Sequence, residues 1–164
     1  MSERHLTHVD GSGRAHMVDI SEKAVTRRTA TARGRVNCTA EVVQLIAGDA
    51  IAKGSVLDTA RLAGIMGAKR TSDLIPLCHP LPLRHVDVDL TLDSSATPGV
   101  VIEATARVEG ATGVEMEALT AVAIAGLTVI DMIKAIDHWA SITDVTLVHK
   151  EGGRSGSLDR PPAR

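Results

Sequence analysis

The sequence predicts an α+β sandwich in which helices cover one face of an antiparallel sheet. Three observations carry that expectation. Val86, Val88, Leu90 and Leu92 alternate with Asp87, Asp89, Thr91 and Asp93, and a period of two marks a strand with one wet face. The alternation returns in Val100, Ile102, Ala104, Ala106 and Val108 after a turn at Thr97, Pro98 and Gly99, so the two strands form a hairpin. Elsewhere the period is helical, and the order strand, two helices, two strands, helix, strand suits a sheet covered on one side.

Residues 1–28 open the chain as a polar, His-rich stretch without a period, which reads as a mobile arm. The α+β core is expected over 29–149, beginning with a strand from 29 to about 38. Thr39 can cap a short helix through Ile46, ended near Gly48, and Ser55 a second through Met66 toward Lys69. Residues 69–82 read K-R-T-S-D-L-I-P-L-C-H-P-L-P. Its prolines fix φ, remove N–H donors and push Leu81 and His79 toward extended geometry. The segment is expected to be non-helical, an ordered loop pinned by Leu74, Ile75, Leu77, Leu81 and Leu83. After the hairpin a long helix is expected over 114–138 and a last strand near 145–148. Residues 150–164 form a Gly- and Pro-rich tail.

A chain of 164 residues fits one domain, long enough to bury roughly two thirds of the surface its unfolded state exposes. With 44% hydrophobic and 23% charged residues and a formal net charge of -2, it is globular and has no general attraction to nucleic acid or anionic membrane. Trp139 is the only aromatic residue, so the core is aliphatic and gripping single strands by base stacking is disfavoured. Cys38 and Cys78, with no leader of the secretory type, point to free thiols in a reducing cytoplasm. The longest apolar run, 118–130, is too short for a membrane span and is expected to be a buried helix. It is apolar nearly all round, and a sheet covers only one side, so a homo-oligomer is expected to cover the other.

On that helix Asp131 and Lys134 stand three residues apart, which places their Cβ atoms roughly 5 to 6 Å from each other. Such a pair either moves protons or is a structural ion pair at a helix end, and both readings stand. Glu115 and Glu117 open the helix, where its dipole favours carboxylates. Glu117 and Asp131 share a stripe but lie roughly 21 Å apart along the axis. One reacting centre contacts both only if two copies meet or the substrate is long. Lys53 before Gly54, Lys69 beside Arg70, and Lys150 ahead of Gly152 and Gly153 suit phosphate, or else are solvated turns. None has P-loop spacing. Cys78 and His79 lack a chelating spacing, so no metal is expected and His79 reads as an acid–base group.

The arm segments L-T-H-V-D at 6–10 and M-V-D-I-S at 17–21, the run 64–83, and residues 110–134 with the G-G-R-S-G tail together resemble the cyclic pyranopterin monophosphate synthase family of molybdenum cofactor biosynthesis. The resemblance covers nearly the whole chain. Its long motifs are K-R-T-x-D-L-I-P-L-C-H-P at 69–80 and G-V-E-M-E-A-L-T at 113–120. It implies a ferredoxin-like α+β fold, a homohexamer built as a trimer of dimers, and active sites between subunits. It also implies conversion of 3',8-cyclo-7,8-dihydroguanosine 5'-triphosphate into cyclic pyranopterin monophosphate and pyrophosphate, with no metal or redox cofactor. By matching motifs, catalytic roles fall on Asp131, Lys134 and Lys53, and substrate contacts on Leu77, Cys78, His79, Met116 and Glu117. Glu115, Lys69, Arg28, Asp19 and Lys150 support them. The resemblance casts Lys53 and Lys134 as acid–base groups, Asp131 as the group that orients Lys134, and His79, Lys69, Arg28 and Lys150 as phosphate holders. Cys78 reads as wall rather than nucleophile. In the tail, Glu151 and Arg154 stand where the family pattern has Ser or Thr and Lys.

A protein of another class fits composition and fold equally: a regulatory oligomer that binds a nucleotide without turning it over. The feature that separates the two is a carboxylate beside lysines, which phosphate binding alone does not need.

Overall fold

A computed structural model describes residues 9, 12–153 and 156–161. The elements run β1 (Thr26–Asn37), α1 (Ala40–Ala47), α2 (Val56–Ala68), α3 (Thr71–Leu74), β2 (His85–Asp93), β3 (Gly99–Gly110), α4 (Glu115–Ile133), β4 (Ser141–Glu151) and β5 (Ser157–Asp159). Both expected caps form: the Thr39 hydroxyl accepts from the Val42 N–H, and the Ser55 hydroxyl from the Asp58 N–H. Each satisfies a helix-terminal donor that would otherwise be orphaned.

The sheet order is β2-β3-β1-β4-β5, and every neighbouring pair is antiparallel. The first four strands with their helices make the β-α-β-β-α-β arrangement of the ferredoxin-like fold, as the resemblance implied. One sheet face is built from small and β-branched residues, Ala30, Ala32 and Val36 of β1 and Ile102, Ala104 and Ala106 of β3, all fully buried or nearly so. Small side chains let α4 lie close. Gly34 in β1 completes the approach, since a Cβ there would collide with the Val122 side chain. The opposite face carries the polar alternation, with the Thr31 and Thr105 hydroxyls 2.8 Å apart and Arg33 paired to Glu103 at 2.6 Å.

Helix α4 is 19 residues long and apolar enough to cross a membrane by length and composition. Its surroundings decide otherwise, because it packs on β1, β3, β4 and α2. Leu127 stays 55% exposed and Leu119, Ala123 and Ile130 half-buried, so an apolar stripe is left over, while α2, which also rests on β2, covers the adjoining flank of the helix closely. Two glycines make that possible. A Cβ at Gly64 would stand 2.9 Å from the Ala121 carbonyl oxygen, and one at Gly67 2.8 Å from Ile124 Cγ1.

Several boundaries differ from expectation. Residues 69–82 contain one helical turn, α3, ahead of the first proline, with the buried Thr71 hydroxyl donating to the Ala68 carbonyl at 3.0 Å. The prolines stop helix only from residue 76 onward. Helix α4 ends at Ile133 with Lys134 as its cap, rather than at 138. Beyond it the Asp137 carboxylate accepts from the N–H groups of Thr39 and Trp139, tying this turn to the start of α1. Strand β4 is longer than the four residues expected, because two register shifts against β1 hide its alternation. The tail pairs as β5 with β4, and β1 begins at Thr26, taking three residues from the arm through its partners Gly110, Glu109 and Val108.

Candidate active site

The N-terminal end of α4 forms one wall of a cavity of about 260 Å³. Glu115, Met116 and Glu117 supply that wall, and the proline-braced loop supplies Leu77, Cys78, His79 and Leu81. Val18, Ile20 and Lys23 of the arm close the third side. His79 Nε2 lies 2.9 Å from the Val18 carbonyl oxygen. A carbonyl only accepts, so the proton sits on Nε2 and the imidazole fastens the arm to the loop.

Glu117 is 4% exposed, and burial raises its carboxyl to about 7, with the neighbouring charge of Glu115 adding to the rise. The Cys78 thiol is also pushed up, first by burial and then by Glu117. A thiol held protonated is a poor nucleophile, which fits its reading as wall. Lys150, opposite Ala30 in the sheet, reaches Glu115 at 2.6 Å, and both side chains are 27% exposed. Burial works against the Glu115 charge, yet the Lys150 hydrogen bond and the nearby Arg28 hold its carboxyl below the usual range.

A second, wider cavity of about 590 Å³ shares Lys23, Thr112 and Gly113 with the first and adds Glu22, Thr26, Arg28 and Gly153. Arg28 donates through Nε to the Gly110 carbonyl at 3.0 Å and through Nη2 to the Ala111 carbonyl at 3.2 Å. Gly153 sits in the left-handed region at φ +70°, which favours glycine, and its missing Cβ leaves room for the Arg28 guanidinium.

At the other end of α4, Asp131 accepts from two lysines. Lys134 Nζ is 2.6 Å from Oδ1, and Lys53 Nζ is 3.2 Å from Oδ2 and 2.6 Å from the Asp131 backbone oxygen. All three side chains are well exposed. The hydrogen bonds from Lys134 and then Lys53 hold the Asp131 carboxyl below its ordinary range. Lys53 is aimed by the tight turn that Gly54 makes at φ +96°.

The structure thus gathers Leu77, Cys78, His79, Met116, Glu117, Glu115 and Lys150 at one end of α4, with Arg28 beside them. It gathers Lys53, Asp131 and Lys134 at the other, fourteen residues away, or roughly 21 Å. Lys69 caps α2 and lines neither cavity. Asp19 accepts from the Ser21 N–H and hydroxyl, which lower its pKa and turn the arm toward the cavity. Arg154 and four of the residues at 6–10 lie outside the described residues. Sequence reading missed Val18, Ile20 and Lys23; the signal was the Asp19 and Ser21 spacing, a local turn former inside a stretch read as mobile. Among the described residues, no group of three or more His, Cys, Asp or Glu side chains is placed to hold a metal ion.

The sequence profile of the MoaC family matches residues 17–153. The chain belongs to the MoaC family. Every candidate residue named above falls inside the MoaC match, which begins within the arm. Relatives over nearly the whole chain bear the name cyclic pyranopterin monophosphate synthase. One from Cereibacter sphaeroides is 60% identical over 154 residues, covering 94% of this chain and 96% of its own length. One from Streptomyces coelicolor is 57% identical over 155 residues, covering 94% and 89%. One from a Nocardioides species is 55% identical over 160 residues, covering 98% of each.

Proposed function

We infer that this chain is an enzyme of molybdenum cofactor biosynthesis. It converts 3',8-cyclo-7,8-dihydroguanosine 5'-triphosphate into cyclic pyranopterin monophosphate and pyrophosphate. The observation that carries the mechanism is the single carboxylate of Asp131 accepting from both Lys53 and Lys134. Binding phosphate needs the lysines alone; a carboxylate held between them fixes the direction of two amines.

In this reading Lys53 and Lys134 pass protons during opening and rearrangement of the guanine-derived ring. A hydroxyl of the sugar portion then attacks the α-phosphorus: its oxygen bonds to phosphorus, its proton goes to a base, and the bond to the leaving pyrophosphate breaks. His79, Lys69, Arg28 and Lys150 offset the charge that develops on the phosphates. Leu77, Cys78, Met116 and Glu117 form the pocket for the ring, no metal or redox cofactor takes part, and Asp19 and Glu115 position their neighbours.

The two ends of α4 serve one substrate if two copies bring opposite ends together. Ile136 and Trp139, the latter 92% exposed, lie beside Lys134 and support a contact there, and Leu62, Met66 and Leu127 extend the apolar surface. The proposed assembly is a homohexamer, a trimer of dimers with sites between subunits. The protein works as one domain in the cytoplasm and requires neither nucleic acid nor membrane.

Pyrophosphate release from the cyclised triphosphate tests the reading directly. Wild type should release it, and Lys53→Ala should bind the triphosphate but release none. A wild-type protein that binds and releases nothing is the regulatory binder instead.

A further inference from the structure

We propose that Asp137 is a positioning residue for Lys53, fixing where α4 ends so that a backbone carbonyl is left for that amine. This rests on the reading above, which makes Lys53, Asp131 and Lys134 the reacting groups. Lys134, Ala135 and Ile136 hold no helix breaker, and a helix running on through them would give the Asp131 carbonyl to the Ala135 N–H. The observed turn takes another path. The N–H groups of Ile136 and Asp137 both donate to the Ile133 carbonyl, at 2.8 and 3.1 Å, and no backbone N–H among the described residues takes that of Asp131. The Lys53 ammonium takes it instead, at 2.6 Å, shorter than its 3.2 Å bond to the Asp131 carboxylate. The carbonyl end of a helix favours a cation, so the freed acceptor holds the amine more firmly than the carboxylate alone.

The turn has a cause outside α4. Asp137 is 9% exposed, and its two carboxylate oxygens accept from different N–H groups, Oδ2 from Thr39 and Oδ1 from Trp139, each at 3.0 Å. Thr39 caps α1, and the chain from α1 to Lys53 is bonded step by step. The Gly48 N–H donates to the Gln44 carbonyl, that of Ala50 to Leu45, and that of Gly54 to Ile51. One buried carboxylate therefore ties the segment that carries Lys53 to the end of α4 that carries Asp131 and Lys134. The turn also returns His138 to the Lys134 carbonyl, to which its Nδ1–H donates. Without Asp137 the helix is free to lengthen and α1 to shift, and each change takes an acceptor from Lys53.

The test compares wild type with Asp137→Ala and Asp137→Asn, the second keeping the volume and one acceptor oxygen. Brief acetylation of the folded proteins with acetic anhydride, read by peptide mass, should label Lys53 about fivefold faster in Asp137→Ala, the scale of one lost hydrogen bond, and by a smaller factor in Asp137→Asn. Lys150, paired with Glu115 at the other end of α4, is the internal reference and should label at one rate throughout. In pyrophosphate release, kcat should fall about tenfold in Asp137→Ala and recover in part in Asp137→Asn, with KM for the cyclised triphosphate unchanged. Equal Lys53 labelling in the three proteins overturns the proposal, as does an unchanged kcat. A rise in labelling that Lys150 shares marks general loosening and overturns it too. If Asp137→Ala does not fold, Asp137→Asn decides on the same readings. Labelling needs no turnover, so a wild type that releases no pyrophosphate removes the enzymatic reading and leaves the hold of Asp137 on Lys53 to be decided by those rates.

Discussion

An acid that is 4% exposed beside a second carboxylate keeps its proton into the neutral range, and Glu117 does so to about 7 against an ordinary 4.5. The unfolded chain releases that proton near 4.5 and the folded one near 7, so between these values the folded state holds more protons. Stability contributed at this group therefore falls as pH rises through that window, by about 3 kcal/mol in all. Glu117→Gln removes the titration. Urea midpoints measured from pH 4.5 to 7 should decline more steeply for wild type than for the variant; parallel curves would show that Glu117 titrates like an exposed acid. Asp131 acts oppositely, held ionised by its lysines. Asp131→Asn should lower pyrophosphate release on the order of a hundredfold with little change in triphosphate binding, since only the proton-handling geometry is lost. A variant with wild-type rate would reduce the pair to a structural bridge. The three-residue spacing made Asp131 and Lys134 legible as neighbours. Lys53 stood out only as a cation beside a glycine, and its meeting with Asp131 was not legible because the approach spans 78 positions.

Local signals located the elements well, because caps and periods are written in adjacent residues. Thr39 and Ser55 each start a helix one residue later, as their hydroxyls dictate. What escaped was set by distant partners. The alternation of β4 is broken where its register against β1 shifts, near Asp144 at φ +56°, and the shift depends on β1, which is remote in sequence. The end of α4 has no breaker among Lys134, Ala135 and Ile136; the turn forms because Asp137 finds the Thr39 N–H. Gly64 shows how such packing can be probed. Alanine favours a helix over glycine by about 1 kcal/mol, yet its Cβ would press on the Ala121 carbonyl, a backbone atom of α4. Overpacking costs about 1–3 kcal/mol, so Gly64→Ala should lower the urea midpoint. A rise would mean that α2 and α4 separate freely.

The fold class was legible because the hairpin and the long helix announce themselves. Helix α4 is apolar nearly all round, and α2 covers only part of what the sheet leaves, with Leu127 55% exposed. Separation adds to the case for assembly. Glu117 and Asp131 stand at opposite ends of one rigid helix, roughly 21 Å apart, and a shared substrate would draw each from a different copy. That arrangement has a consequence that activity in a single variant cannot mimic. Asp131→Asn and Glu117→Gln, each crippled alone, should recover activity when co-expressed, because a mixed pair joins an intact Glu117 end from one copy to an intact Asp131 end from the other. Each two-fold pair has two such sites, of which one is restored and one doubly damaged, so random mixing should return about a quarter of wild-type turnover. Purifying through distinct tags on the two chains removes only hexamers built from a single variant, so the yield should stay near a quarter. If the mixed protein is no more active than its parts, each site is built within one chain, and the distance between the ends of α4 must be bridged by the substrate itself.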